Sequence, residues 1–323
     1  VLYAKIIIQV MHKFLYFGSY LVFPFILFLG YYIYSISGKI YGKKIRFSLS
    51  IFLIILSLIF IYSRFIEKNM IVIKYSKVNT GFQARVVVIS DMHIGEYNNS
   101  HFLDRIVGKI NSIENVDAVL IPGDFTYYPE GDLTEMFTPL SKLKYPVYAV
   151  LGNHDSEQPG PFIRDKLQAA LEANNVKFLH NQAAELESKN IKILGLGDRW
   201  AGEDDVSKLN DFNEDDNLLV ITHNPDTAMK YKSNNADLTV SGHTHGGQIR
   251  VPFFYKSQIP SKYEFDQGLY EVEYSGNEAE IKDENTQSSS SSVGQVYVTS
   301  GLGVVGLPMR LGVPPVIDVL DLR

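Results

Sequence analysis

The 323-residue chain has room for one large α/β domain plus a further segment, and its lack of cysteine excludes disulfides and thiolate metal sites. Residues 1–85 carry 11 Lys/Arg against one acid, Glu67, whereas the remainder carries 19 basic and 35 acidic side chains. An acidic folded part repels a phosphate backbone, which excludes general nucleic-acid binding; the basic part flanks apolar runs, as suits anionic lipid headgroups.

Phe14 to Ile36 is apolar, aromatic and free of charge, long enough for a helix across a hydrocarbon core of roughly 30 Å, with Pro24 as a site for a kink. Phe47 to Tyr62 is a second charge-free run. It is short, about 24 Å as a helix, so it needs flanking residues or local bilayer thinning to span. Between the runs lie Lys39, Lys43, Lys44 and Arg46, and Met11 offers an alternative start. We expect residues 1–73 to form a membrane anchor of two transmembrane helices, against the alternatives of a cleaved signal peptide or two core helices. A hairpin puts Lys5, Lys13, Arg64, Lys68, Lys74 and Lys77 on the side of the folded domain, a slight excess over the linker that leans the domain towards the cytoplasm.

From residue 74 to 323 the pattern becomes short β-branched runs, each ending in a polar cluster. Arg85–Ser90 leads to Asp91, Ala118–Ile121 to Gly123-Asp124, and Val147–Leu151 to Gly152-Asn-His-Asp155. Leu218–Thr222 leads to His223, and Leu238–Ser241 to Gly242-His-Thr-His245. Helical spacing of apolar residues is expected over 102–113 and 162–173, and further strands over 191–196, 296–300 and 316–320. Thr286 to Ser292 reads as a surface loop. The fold class is α/β around a central sheet, with ligand-binding residues at carboxyl ends of strands.

Five of the eight histidines, His93, His154, His223, His243 and His245, fall in these strand-end clusters, with the carboxylates Asp91 and Asp124 and the amide of Asn153. Imidazole and carboxylate suit Zn, Mn or Fe, and two such ions about 4 Å apart suit in-line displacement at phosphorus. An uncoordinated histidine can protonate the leaving oxygen. Each motif alone has a bland reading as a turn or cap. Five in order, each after an apolar strand, point to one site.

Asp91-Met-His93, Gly123-Asp124, Gly152-Asn-His-Asp155, His223 and Gly242-His-Thr-His245 together resemble the signature of calcineurin-like metallophosphoesterases. Gly246-Gly-Gln248, Ser300-Gly-Leu-Gly303 and Pro308–Pro315 make the bacterial membrane-anchored branch the most similar. The resemblance implies a four-layer α/β/β/α sandwich with a dinuclear centre. Asp91, His93, Asp124 and His245 would hold one divalent ion; Asp124, Asn153, His223 and His243 would hold the other; His154 would be the catalytic acid. Three residues after Asp124, where the protein-phosphatase branch has an aspartate that orients this histidine, stands Tyr127, which leaves Asp155 as a candidate partner. Arg199, Arg250 and Arg310 are candidates to hold phosphate oxygens or are plain surface arginines, and Trp200 either covers the site or packs in its loop.

The implied reaction is hydrolysis of a phosphodiester or pyrophosphate bond by hydroxide bridging two metals. A membrane anchor favours a lipid substrate, and the anchored branch suggests UDP-2,3-diacylglucosamine of lipid A synthesis at the cytoplasmic membrane. The alternatives are an envelope phosphatase or nucleotidase on the outer face, and a non-catalytic phospholipid-binding module.

Overall fold

A computed structural model describes residues 2–37, 42–156, 163–231, 235–275, 278–281 and 292–323. Its first two helices are α1 (Leu2–Ser37) and α2 (Lys43–Ile61). α2 continues through a π-helical turn, Tyr62–Ile66, and a 3-10 turn, Glu67–Asn69. The helical run therefore outlasts the apolar stretch expected from sequence. The 26-residue helical run from Lys44 to Asn69 contains an 18-residue stretch of mean hydropathy 2.4 and is long and apolar enough to cross a membrane. Arg64 and Glu67 interrupt the hydropathy but do not end the helix, because both side chains are buried. Arg64 Nε donates to Ser19 Oγ of α1 at 2.8 Å, and Glu67 Oε1 accepts from the Val313 N–H at 2.6 Å. α1 continues past Pro24, and its outer end lies on the following domain. There Tyr16 stacks on Tyr97 at 5.5 Å, and Lys13 pairs with Glu130 at 2.6 Å.

The remaining elements, in chain order, are β1 (Val72–Val78), β2 (Ala84–Val88), β3 (Ile94–Gly95), α3 (Ser100–Ile110), β4 (Ala118–Pro122), β5 (Thr126–Tyr127), α4 (Leu133–Phe137), β6 (Val147–Val150), α5 (Arg164–Ala173), β7 (Val176–Phe178) and β8 (Gln182–Leu186). They continue with β9 (Ile191–Gly195), β10 (Leu218–Ile221), β11 (Leu238–Ser241), β12 (Gly268–Ser275), β13 (Glu278–Ile281), β14 (Ser292–Val298) and β15 (Val316–Leu322). One sheet runs β1-β15-β2-β4-β6-β7 and the other β13-β12-β14-β11-β10-β9-β8. In the first, β2, β4, β6 and β7 are parallel; in the second, β14, β11, β10 and β9 are. Parallel strands buried on both faces read as continuous apolar runs, which is why these were visible in sequence. β1 was not, because it is an edge strand with exposed Lys74 and Tyr75.

Alternation along the strands separates three apolar cores. Val87, Val119, Ile121 and Ala149 face Phe102, Leu103, Ile106 and Ile110 of α3 and Leu167 and Leu171 of α5. Val86, Val88, Leu120 and Val150 meet Ile193, Leu219, Ile221 and Val240 between the sheets. Leu194, Leu218 and Val220 pack outward on Leu209, Ala228 and Phe265. Each such side chain contributes roughly 1.5–3 kcal/mol by leaving water. The layer outside the second sheet differs from the expected α-helices. Among the described residues it is made of 3-10 turns, Val206–Asp211 and Pro225–Lys230, each too short to hold an apolar stripe. α3 starts one turn's edge earlier than expected, because Asn99 caps it by accepting from the Phe102 N–H at 3.1 Å. Phe162 and residues 286–291 lie outside the described residues, while Ser292, expected in the loop, opens β14.

Candidate metal centre

The carboxyl ends of β2, β4 and β6 in one sheet and of β10 and β11 in the other converge on one point. Asp91 and His93 follow β2, Asp124 follows β4, Asn153 and His154 follow β6, His223 follows β10, and His243 and His245 follow β11. The loops are bonded to each other: Asp91 N donates to Gly123 O at 3.0 Å and His93 N to Asp124 O at 3.1 Å. Asp91, His93, Asp124, His243 and His245 all hold φ between 47° and 71°, the left-handed region that non-glycine residues avoid. Such strain persists where the surroundings impose it, and here it coincides with the residues whose side chains turn inward. Two glycines make the crowding possible. A Cβ at Gly152 would collide with the Asp124 carboxylate, and one at Gly242 with Ser90 Oγ and the Asp91 carboxylate.

The side chains of Asp91, His93, Asp124, Asn153, His223, His243 and His245 are brought together and all are buried. Asp91, His93 and His245 offer ligand atoms within 4.8 Å of one another, as do Asp91, Asp124 and His223. The His154 N–H donates to Asp124 Oδ1 at 3.0 Å, which leaves Oδ2 free to face His93 Nε2 at 3.6 Å and His223 Nε2 at 3.2 Å. His245 Nε2 lies 3.1 Å from His93 Nε2 and 3.6 Å from Asp91 Oδ1. His223 Nε2 is 3.0 Å from Asn153 Oδ1 and 3.1 Å from His243 Nδ1.

The donor chemistry fits cations at these two places. His93 Nδ1 lies 3.3 Å from the Thr126 carbonyl and His223 Nδ1 2.7 Å from the Pro122 carbonyl. A carbonyl accepts, so both Nδ1 atoms carry protons and each Nε2 turns inward, where it can present a lone pair to a cation once any proton it holds is displaced. Burial pushes the imidazolium of His93 down to about 3, and those of His243 and His245 well below their usual range. Burial opposes the charge on His223 too, but the facing Asp124, Asp91 and Asp198 carboxylates outweigh it and raise it to about 10. Burial raises Asp91 to about 7, against the pull of His223. Asp124 is held well below its usual value against burial, because His223, His154 and His93 surround it.

An ion held beside His223 displaces that group's proton at any pH below about 10, and an ion held beside Asp91 displaces a carboxyl proton below about 7. Competition titrations are expected to show affinity at the His223 site rising about tenfold per pH unit up to about 10, and at the Asp91 site about tenfold per unit only below about 7. Affinity that is flat from acid to alkaline pH would contradict this protonation scheme.

His154 is half-buried at the edge of a cavity of about 560 Å³, which is also lined by Asp124, Asn153, His243 and His245. Its ring meets His93 edge-on at 5.2 Å and Tyr127 at 5.2 Å. Asp155 does not orient it. Both Asp155 oxygens accept from the β4–β5 turn and the β6 end, taking Phe125 N, Thr126 N, Thr126 Oγ1 and Gly152 N at 2.8–3.2 Å. The carboxylate ties the Asp124 loop to the Asn153 loop. The Tyr127 ring packs edge-on against the histidine.

Arg310 and Arg250 are engaged elsewhere. Arg310 is fully buried, and its guanidinium donates to the carbonyls of Gly303, Val313 and Ser300 at 2.7–3.1 Å. It braces the C-terminal loop and has no free face for phosphate. Arg250 donates to Gly246 O at 2.7 Å and Asp266 Oδ2 at 3.0 Å, and Arg199 lies 3.6 Å from Asp204. Trp200 stands edge-on to His243 at 4.6 Å and is half exposed at the cavity wall, held by a turn in which Asp198 accepts from Ala201 N. Sequence reasoning missed Gln248 as a brace. Its side chain accepts from Val305 N at 2.9 Å and donates to the carbonyls of Val305 and Leu307 at 2.9 and 3.0 Å.

Nitrogen and oxygen donors gathered at strand ends of a mixed α/β fold form a site able to hold metal ions. A family model described as calcineurin-like phosphoesterase matches residues 84–247. An uncharacterised metallophosphoesterase of Campylobacter jejuni is 30% identical over 299 residues, covering 88% of this chain and 72% of its own length. The phosphodiesterase YaeI of Escherichia coli is 24% identical, over 74% of this chain and 82% of its own. The UDP-2,3-diacylglucosamine pyrophosphatase LpxG of Chlamydia trachomatis is 28% identical, over 52% of this chain and 65% of its own. The chain belongs to the calcineurin-like phosphoesterase family and is a metallophosphoesterase, a hydrolase of phosphoric esters.

Proposed function

We propose that this chain is a membrane-anchored phosphoesterase acting on a phosphodiester or pyrophosphate bond of a lipid substrate, with residues 1–73 as anchor and 74–323 as a four-layer catalytic domain. The observation that carries the reading is Asp124 Oδ2 standing between His93 Nε2 and His223 Nε2 at the floor of the cavity. In this proposal Asp91, His93, Asp124 and His245 hold one divalent ion, Mn, Zn or Fe, and Asp124, Asn153, His223 and His243 hold the other. Bound, the ions would supply Lewis-acid activation of water and neutralise phosphoryl charge. Asp124 holds the two half-sites in register. The carbonyls on His93 and His223 fix which ring nitrogens face inward. His154, at the open side of the cluster, gives a proton to the leaving oxygen.

The lipid part of the proposal draws on the cavity wall, where Ile249, Val251, Phe254, Val305 and Leu307 offer apolar surface beside the polar floor. It also draws on LpxG, whose name states a lipid pyrophosphate substrate. α1 and α2 run alongside each other from the Arg46–Tyr34 cation–π contact at 4.1 Å to the Arg64–Ser19 bond at the other end. Those limits enclose about 27 Å of helix, close to a hydrocarbon core of roughly 30 Å. The basic residues favour the cytoplasmic face of an inner membrane. The test is a Mn²⁺-supplemented screen of the full chain against bis-p-nitrophenyl phosphate, a monoester and UDP-2,3-diacylglucosamine. Turnover of the diester and release of UMP from the lipid are expected. Monoester hydrolysis alone would replace the reading with that of a phosphatase.

A further inference from the structure

Beside the cavity, the turn Val251-Pro-Phe-Phe254 projects an apolar tip into solvent. Phe253 is 99% exposed, Phe254 69%, Val251 45%, and the neighbouring Leu307 43%. This is not a loose loop. The N–H groups of Phe254 and Tyr255 both donate to Val251 O at 3.1 Å. Phe253 itself sits at φ +70°, a conformation that an aromatic residue adopts only when its surroundings impose it. The backbone is thus bent to point a phenyl ring outward, where water solvates it poorly. Exposed Lys256 follows the turn, and exposed Lys262 lies a few residues further on.

The position of the turn identifies what covers it. The segment 305–311 connects the turn to the helices. On one side Val305 and Leu307 line the cavity and are held by Gln248, and Arg250 N donates to Leu311 O at 2.8 Å. On the other side Arg310 N donates to Ser63 O at 3.1 Å, where α2 ends. Tyr97 donates to Gly306 O at 2.7 Å and stacks on Tyr16 of α1. The cavity mouth and the apolar tip therefore lie a few residues from the level at which both helices leave the span. We propose that the Val251–Phe254 turn, with Leu307, is a membrane-docking element that seats in the headgroup–acyl boundary of the bilayer holding α1 and α2. This rests on the reading of residues 1–73 as an anchor. Its apolar tip enters about 5–10 Å below the headgroups, as interfacial elements do, and the flanking lysines meet anionic lipid. Docking there opens the cavity onto the lipid layer, so that a lipid phosphoester reaches the metal centre without leaving the membrane.

The absence of cysteine makes the test direct. Single Phe253→Cys, Ile54→Cys and Lys166→Cys variants of the full chain, each carrying a bimane label, are reconstituted into phosphatidylcholine–phosphatidylglycerol vesicles with or without doxyl-labelled lipid. Ile54 is an exposed position on α2, and Lys166 an exposed position on α5. Labels at 253 and 54 are expected to lose about half their emission to the doxyl lipid, and the label at 166 to be unaffected. Quenching at 54 without quenching at 253 overturns the docking element and leaves the anchor standing. No quenching at 54 removes the anchor reading, and the docking element with it. A label at 253 shielded from both doxyl lipid and aqueous iodide assigns the turn to a protein partner and overturns the lipid assignment.

Discussion

Asp124→Asn is expected to abolish turnover and to lower the occupancy of both ion sites together. The reason is the division of labour between the two carboxylate oxygens. Oδ1 is taken by the His154 N–H at 3.0 Å, and Oδ2 alone faces both His93 and His223. An amide keeps the shape but has only one oxygen. If that oxygen stays on the His154 N–H, an NH₂ group points at two imidazole lone pairs and repels a cation. If it turns towards the imidazoles, the NH₂ group faces the His154 N–H, donor to donor. Either way the negative charge that separates two like charges is gone. Metal content measured by plasma emission should fall at both sites, with affinity weaker by at least about 10²-fold. His223→Asn, in contrast, should empty mainly one site. A preparation of Asp124→Asn that keeps two ions per chain would sink the shared-carboxylate arrangement.

His154→Asn is expected to separate chemistry from ion binding. The backbone N–H of His154 bonds Asp124, and any residue but proline supplies that bond. The ring stands at the cavity edge against His93 and Tyr127. Metal content should be unchanged while kcat falls by roughly 10²–10⁴, the usual range for loss of a general acid. The loss should be greatest on substrates with poor leaving groups and smallest on p-nitrophenyl esters, which leave without a proton. Loss of metal in this variant, or an equal loss on every leaving group, would remove the proton-donor role. Tyr127 packs edge-on against the same ring, and its hydroxyl accepts from Gly306 N at 3.3 Å.

Sequence alone determined the elements whose meaning is local. Apolar runs marked β2, β4, β6, β10 and β11, because a parallel strand buried on both faces has no polar alternation to hide it. The lack of cysteine restricted the ligands to nitrogen and oxygen, and the order of the strand-end motifs pointed to one centre. Tertiary structure alone decided matters that depend on distant neighbours. Asp91 accepts from the N–H of His243, 152 positions away, and no spacing rule foretells that pairing. Five of the converging residues needed positive φ, which residue type does not announce. Arg310 and Asp155 looked available for phosphate and for His154, but their hydrogen-bonding capacity was consumed by carbonyls and N–H groups of loops folded around them. The helical run beyond Ile61 was hidden for the same reason. A buried arginine and glutamate read as a break in hydropathy until the partners that satisfy them, Ser19 and Val313, are brought alongside. A sequence states which groups a chain owns. Where each one spends its charge and hydrogen bonds is fixed only when the sheets close, because those interactions reach a few ångströms in space whatever the separation along the chain.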